Sequence, residues 1–400
     1  MDNDTPRFCI VLGQRASWPE LLVRARETEA LGFDGLFLVD HFFGLKDVSD
    51  PTHEAYTMLA ALAPHTRNMR LGIMVSGNSY RNPALLLKQA ITVDHISGGR
   101  VDFGVGAGWL EREHEAYGFP FPSARERVDR FAEALEIWDM LQGQERTTFE
   151  GKHYRLLDAP FEPKSLQRPR LPLLIGGSKP RMLRLVARFA DIWNTVGSPD
   201  DAGMLNRRLD NICEETGRDP STLVRAVSPS INLLESTNAF TEGVAAYHAA
   251  GFRDIYLPWP RTEEELPVLR EVATEIIPYL RGNATTGEQD NREVTGSLRN
   301  ITSGDLPVVS GILAGLGDSP AQRFLETLTE HPDERFDGAA LQTLLGVEGH
   351  AEVTRTVAAL GAAFAAHGLA RPWQEAQRGY LLSKEMADLL SEAGARRGND

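Results

Sequence analysis

Over its first 280 or so residues the chain alternates between short apolar runs of strand composition and longer segments with helical spacing. The runs are FCIVLG (8–13), GLFLV (35–39), RLGIMVS (70–76), VDFGVG (101–106), LPLLIGG (171–177), DIWNTV (191–196), VRAVSPSINLL (224–234) and DIYLPW (254–259). Several of the helical segments carry start and stop signals. One runs from Ser17 to Gly32, one from Asn82-Pro83 to Gly98-Gly99, one from Ser123 to Gly143, and the last covers 263–280. Continuous apolar strands separated by helices call for a parallel sheet covered on its faces. Eight such repeats in this length predict a closed (β/α)8 TIM barrel over residues 1–282. Residues 144–170 break the rhythm and read as an insertion with a small hairpin.

Residues 283–304 are polar, without apolar period, and read as a linker. Residues 305–400 read as a second, mainly helical unit. Helical segments at 319–332, 337–346 and 349–368, then a turn, a strand and a helix over 372–394, give the outline of either a winged-helix module or a plain helical appendage. This unit carries 14 acidic and 8 basic residues, a net of −6, and its candidate recognition helix has a single arginine, Arg355. A DNA-reading surface needs a basic face, so dimerisation or docking is the expected role. The whole chain, at −14, is equally unsuited to nucleic acid or an anionic membrane. The acidic N-terminus and the lack of an 18-residue apolar run predict neither a signal peptide nor a membrane span, hence a cytoplasmic protein. Cys9 and Cys213, far apart, fit a reducing compartment and offer no metal spacing, and no metal site is expected.

In a barrel, chemistry gathers at the C-terminal ends of the strands. The second run ends in Asp40 and His41, which read either as a loop anchor or as working groups. After the third come Val75, Ser76 and Gly77, where glycine permits a bulge and close approach of a flat ring. After the fourth come Gly106, Ala107 and Gly108, then Trp109 as an aromatic wall. The fifth ends in Gly176-Gly177, with Ser178 and Lys179 opening a helix, an arrangement suited to a phosphate. A phosphate end, glycine-lined walls, aromatic surfaces and a histidine suit a flavin-like cofactor.

Residues 7 to about 281 resemble the bacterial luciferase-like monooxygenase superfamily, and within it the branch that uses the deazaflavin coenzyme F420. The resemblance rests on GFDGLFLVDHF, EAYTMLAALAPHT, LGIMVSGNSYRNPALLLKQAITVDHISGGRVDFGVGAGWLEREHEAYGFPFP, RVDRFAEALEIWDML and PLLIGGSKPRMLRLVARFADIWN, in that order. It implies that Asp40 and His41 lie at the deazaflavin ring, with His41 as proton relay. It implies a bulge with a non-prolyl cis peptide at Val75–Gly77, a wall at Gly106–Gly108, and a phosphate site at Gly176–Ser178. Sugar-phosphate dehydrogenases of this branch carry a Glu after the strand-four glycines; here Trp109 stands in that place, with Glu111 and Glu113 beyond it. The expected function is hydride transfer between reduced F420 and a small organic substrate. Two alternatives stay open: an FMN-dependent monooxygenase using O2, and a cofactor-binding sensor acting through the C-terminal unit. A homodimer is expected.

Overall fold

The computed structural model describes residues 6–285 apart from Lys46, and residues 301–396 apart from 317–318 and much of 347–378. The chain divides into two compact units, Met1–Thr286 and Gly287–Asp400. Most of the expected linker, residues 286–300, lies outside the described residues.

The first unit is a closed parallel barrel. Its first strands are β1 (Arg7–Leu12), β2 (Gly35–Leu38), β3 (Arg70–Ile73), β4 (Ser76–Gly77) and β5 (Val101–Gly106). An antiparallel hairpin follows, β6 (Arg146–Glu150) and β7 (Arg155–Pro160), as the insertion predicted. Then come β8 (Leu173–Gly176), β9 (Ile192–Gly197), β10 (Val224–Pro229) and β11 (Asp254–Pro258). Parallel pairing runs β3-β2-β1-β11-β10-β9-β8-β5, and a β3–β5 pairing closes the ring. β3 and β4 are two pieces of one barrel strand, so the eightfold reading of the sequence holds.

Helices α1 (Trp18–Ala30), α2 (Ala55–Leu62), α3 (Pro83–Ser97), α4 (Glu111–Tyr117), α5 (Ala124–Gly143), α6 (Pro180–Phe189), α7 (Pro199–Glu215), α8 (Thr237–Ala249), α9 (Glu265–Glu271) and α10 (Ile277–Thr285) connect the strands. α3 shows how locally they are specified. The Asn82 side chain accepts from the Ala84 N–H, Pro83 opens the helix, and Gly98 ends it at φ 73°. Its inner face buries Leu86, Leu87, Ala90 and Ile91. The expected helix at 263–280 is interrupted by a π-helical turn at Val272–Ile276, just ahead of Pro278, which has no N–H to donate back. The 224–234 run forms a strand only as far as Pro229.

Inside the barrel lie Cys9, Phe37, Leu174, Ile192, Ala226 and Tyr256. The end away from the strand C-termini is held by charge pairs, Arg7 with Asp254 and Arg70 with Asp102, the carboxylates almost fully buried. Such pairs hold position well because removing one partner leaves an uncompensated buried charge.

The third strand departs from regular pairing. Gly72 lies opposite Asp102, yet Ser76 lies opposite Val105. Four steps on one strand therefore match three on its neighbour, which makes a bulge. The Met74–Val75 peptide within it is cis. Gly104 lies opposite this bulge, where a Cβ would collide with the Ile73 carbonyl oxygen. The Cβ-less backbone at 104 is thus what admits the extra residue.

The second unit contains α11 (Leu306–Leu316), α12 (Pro320–Glu330), α13 (Gly338–Leu345) and α14 (Lys384–Arg396). It also has a three-stranded antiparallel sheet of β12 (Phe336–Asp337), β14 (Gly379–Leu381) and β13 (Gln374–Ala376), in that order. Phe324 is its centre, edge-on to Trp373 at 5.3 Å and to Tyr380 at 5.6 Å. Most of the expected helix at 349–368, including Arg355, lies outside the described residues. Among the described residues no helix is long and apolar enough to cross a membrane.

Gly104→Ala is expected to destabilise the barrel by about 1–3 kcal/mol through overpacking, read as a lower urea midpoint. An unchanged midpoint would mean that the strands part at no cost and that the bulge does not depend on Gly104.

Candidate active site

β2 delivers Asp40 and His41 to the barrel mouth, and the residues before them are pinned. Buried Gln14, just past β1, donates through Nε2 to the Val39 carbonyl at 2.7 Å and accepts from the Val39 N–H at 3.1 Å. Along this extended segment the two side chains take separate partners. Asp40 is buried and accepts from the Gly77 N–H at 2.9 Å. Arg81 grips it in a two-pronged pair, at 2.7 and 2.9 Å. Arg81 also reaches Glu54, which caps α2, and stacks over Tyr56. The Tyr56 hydroxyl bonds Ser76 Oγ at 2.9 Å. Asp40 and Ser76 are thereby spent on holding the bulge. Of the two readings the sequence left open for Asp40, its contacts fit the loop anchor, both carboxylate oxygens being engaged by fixed donors.

His41 is different. Its Nδ1 lies 3.0 Å from Glu113 Oε2. Glu113, on α4, is wholly buried and also accepts from the Tyr80 hydroxyl at 2.6 Å and the Phe42 N–H at 2.8 Å. Burial pushes the Glu113 carboxyl up, but the donors on it, His41 first, outweigh burial and hold it below the ordinary carboxylate range. An ionised Glu113 can only accept, so His41 Nδ1 carries the proton. That leaves Nε2 as the free ring nitrogen, with no hydrogen-bond partner among the described residues. Burial and the adjacent carboxylate keep the Tyr80 phenol protonated.

The flanking aromatics explain why this strand end reads as DHFF. Phe42 packs on Tyr80, Tyr117 and Phe119 with ring centroids 4.8–5.3 Å apart, and Arg112 lies over Phe43. Together they fasten the loop after β2 to α4. A second histidine, His114, is fully buried. It bonds the Leu110 carbonyl through Nδ1 at 2.8 Å and Ser79 Oγ through Nε2 at 2.7 Å, both nitrogens used.

The other expected residues fall in three places. Val75, Gly106 and Gly176 come together: a Cβ on Gly106 would stand 2.9 Å, and one on Gly176 3.2 Å, from Val75 Cγ2. Missing side chains on two strands thus leave a flat wall around Val75. Ala107 and Gly108 continue it, Gly108 at φ 85° and close enough to Ser79 that only a hydrogen fits. Trp109 is 64% exposed, with its ring edge-on to His41 at 5.8 Å. The indole left in water thus stands beside an imidazole whose Nε2 has no hydrogen-bond partner among the described residues, an arrangement that suits a ligand. At β8 the Gly177 N–H is already bonded to the Asn194 carbonyl at 3.2 Å, and the Gly177 carbonyl to Trp193 Nε1 at 2.7 Å. Gly177 therefore shapes the turn, and its amide is not available to a phosphate. Lys179 is the N-cap of α6, without a side-chain cap bond. Arg181 is tied to Asp129 on α5.

Glu113, Tyr80 and Arg81 were not singled out as site residues in the sequence. The signal for Glu113 is the segment EREHE following the strand-four glycines, where an acid beside a pocket reads the same as one on a solvated helix face; Tyr80 and Arg81 lie in VSGNSYRNP, after the third run. A flat wall with glycine at 106, 108 and 176, an exposed indole and an available ring nitrogen fit a planar flavin or deazaflavin ring.

Glu113→Gln is expected to cost about 1.5–3 kcal/mol at neutral pH, the range for a hydrogen bond to a charged group. Because the folded-state pKa is depressed, that stabilisation is full above the unfolded value near 4.3 and is lost as pH falls through the lower folded value. Urea unfolding at neutral pH and in acid should show the gap between wild type and variant narrowing in acid. A gap independent of pH would contradict an ionised Glu113.

The luciferase-like monooxygenase family model matches residues 7–275. Among curated relatives, an F420-dependent glucose-6-phosphate dehydrogenase of Intrasporangium calvum is 32% identical over 180 residues, 43% of this chain and 52% of that protein. An FMNH2-dependent dimethylsulfone monooxygenase of Pseudomonas putida is 31% identical over 150 residues, 38% of this chain and 41% of that protein. The chain thus spans about half the length, or less, of these two relatives. The solved structure of an F420-dependent secondary alcohol dehydrogenase, in complex with an F420-acetone adduct, superposes with a TM-score of 0.60 at 18% identity, covering 68% of this chain and 99% of that one. That likeness carries the fold. By the extent of the family match, this chain belongs to the luciferase-like monooxygenase family.

Proposed function

We propose that the protein is an F420-dependent oxidoreductase that transfers hydride to or from a small carbonyl-type substrate, with His41 as the proton-handling group. The observation that carries this reading is the His41–Glu113 pair, which leaves Nε2 unpartnered beside exposed Trp109. Relatives that use F420 support the choice of cofactor, and relatives that use FMN keep monooxygenation as the second reading.

The chain's own residues have defined tasks under this proposal. Val75, Gly106 and Gly176 give the ring a flat back wall, with Ala107 and Gly108 extending it. Ser178 and Lys179, at the start of α6, take the cofactor phosphate. Asp40 and Arg81 hold the bulge in place. When bound, reduced F420 supplies the hydride. His41 Nε2 supplies the proton to the substrate oxygen in reduction, and accepts it in oxidation. Glu113 holds Nδ1–H and stabilises the imidazolium, as an orienting carboxylate does in other His-based sites. Trp109 excludes water from one side. For residues 305–400, the net charge of −6 supports docking or self-association, and the winged-helix outline belongs to the same proposal.

Reoxidation of reduced F420 by the purified protein, followed with a panel of aldehydes, ketones and enones, tests this. Turnover should depend on the carbonyl compound and not on oxygen. His41→Ala should lower kcat by about 10²–10⁴-fold, the usual worth of general acid–base catalysis, while the affinity for F420 stays close to wild type. Wild-type turnover in His41→Ala would remove the proton role, and oxygen-dependent turnover with FMN would replace the whole reading.

A further inference from the structure

At the end of the barrel away from His41, a cavity of about 690 Å³ opens between the C-termini of α6 and α7 and the chain entering β8 and β9. Its size falls within the range of roughly 300–1,000 Å³ usual for small-molecule sites. Leu185 and Phe189, both half-buried, give it an apolar side. Arg170, Arg184, Arg188 and Arg218 also line it, against a single carboxylate, Asp191. This face of a barrel ordinarily serves stability, so each arginine has to be accounted for.

Helix capping accounts for part of two of them. Arg170 pairs with Asp191 through two nitrogens, at 2.5 and 3.1 Å, and donates to the Phe189 carbonyl at 3.2 Å. Arg218 donates through Nη1 to the Val186 and Ala187 carbonyls at 3.3 and 3.1 Å, and through Nε to Thr222 Oγ1 at 3.1 Å. Both serve the last carbonyls of α6. Arg188 pairs with Glu136 on α5 at 3.1 Å and lies 4.5 Å from the centre of the Phe189 ring. Arg184 has no hydrogen-bond or ion-pair partner among the described residues, and there Arg218 has no carboxylate partner and nothing on Nη2. The charges therefore do not balance. Asp191 and Glu136 offset two of the four, and the C-termini of α6 and α7 contribute about half a negative charge each, so about one positive charge is left over. It is left over in a chain whose net charge is −14. Burial is the largest influence on the Arg218 guanidinium and holds it below the ordinary arginine value; Arg225 and Arg170 push the same way. Arg81, part-buried but matched by Asp40 and Glu54, is raised instead.

We infer that this cavity binds a phosphate ester of about nucleotide size, with Arg184 and Nη2 of Arg218 on its phosphate and Leu185 and Phe189 against its apolar or aromatic body. A phosphate supplies the negative charge that the cavity lacks, and it accepts from several guanidinium N–H groups at once. Arg218 is held in place for this by its bonds to α6, so little of its freedom remains to be lost on binding. The site is separate from the cofactor-phosphate position proposed at Ser178 and Lys179. Those residues precede α6, and this cavity lies at the far end of its ten residues, about 15 Å along the axis.

Calorimetric titration of the full chain with AMP, inorganic phosphate and adenosine, with and without excess oxidised F420, tests the site without any redox step. Wild type should bind one AMP, phosphate more weakly, and adenosine at least about 10-fold more weakly than AMP, the charged contacts being lost. Arg184→Gln should weaken AMP binding about 10–100-fold, and Arg184→Lys should restore part of it. Arg218→Gln should weaken it as well. Because Arg184 touches no partner, its replacement leaves the fold intact and decides the matter even if Arg218→Gln, which strips a cap from α6, melts early. That comparison stands whether or not F420 binds or any carbonyl compound turns over, so its failure is separate from failure of the proposed activity. AMP binding should persist in excess F420. Displacement by F420 would mean that AMP had occupied the cofactor position, and it overturns the site. So does no AMP binding in wild type, wild-type affinity in Arg184→Gln, adenosine bound as tightly as AMP, or AMP bound no more tightly than phosphate.

Discussion

Closing a ring of eight strands leaves the third strand one residue too long for its neighbour, and the site follows from how that residue is housed. The extra length appears as the bulge at Met74–Val75, which pushes Val75 between Gly106 and Gly176. Without a Cβ on either glycine, the inner wall there is flat. The same bulge turns the Gly77 N–H toward Asp40, and Asp40 in turn fixes Arg81. Interior packing is too dense to leave such a feature unsupported, so buried Asp40, Ser76 and Tyr56 serve to hold it.

A division of labour between adjacent residues comes next. Successive side chains in extended backbone point to opposite sides. Asp40 faces the bulge and is consumed by it; His41 faces α4 and meets Glu113. The carboxylate at Nδ1 fixes the tautomer, so the free nitrogen is Nε2. Rigid support on one side and an available atom on the other are the conditions for a proton-handling group. Trp109 is the apolar neighbour of His41, where a glutamate would have offered a second charge.

Much of this was legible in the sequence, and the exceptions have physical reasons. The eightfold rhythm gave the barrel because parallel strands buried on both faces are written as continuous apolar runs. Asp40, His41, the Val75–Gly77 bulge and the glycines of β5 and β8 could be placed because strand ends are fixed by that rhythm. What Asp40 does could not be read, since its partner Arg81 lies in a loop whose course the rhythm does not set. Glu113 was hidden for a related reason. It is 72 residues from His41, on a short helix inserted outside the repeat, and it looks like one more acid in an acidic segment. At Gly177 the glycine was visible, but a backbone amide already bonded to Asn194 is a fact of pairing that composition does not carry.

The central claim is that the flat wall around Val75 and the free Nε2 of His41 receive a deazaflavin ring. Its most direct test is a spectral titration of the apo-protein with oxidised F420 and, separately, with FMN, in wild type and in Gly106→Val. Tight binding of F420, much weaker binding of FMN, and loss of F420 binding when the valine side chain fills the wall are the expected results. Tight binding of FMN with none of F420, or undiminished F420 binding in a folded Gly106→Val variant, would contradict it.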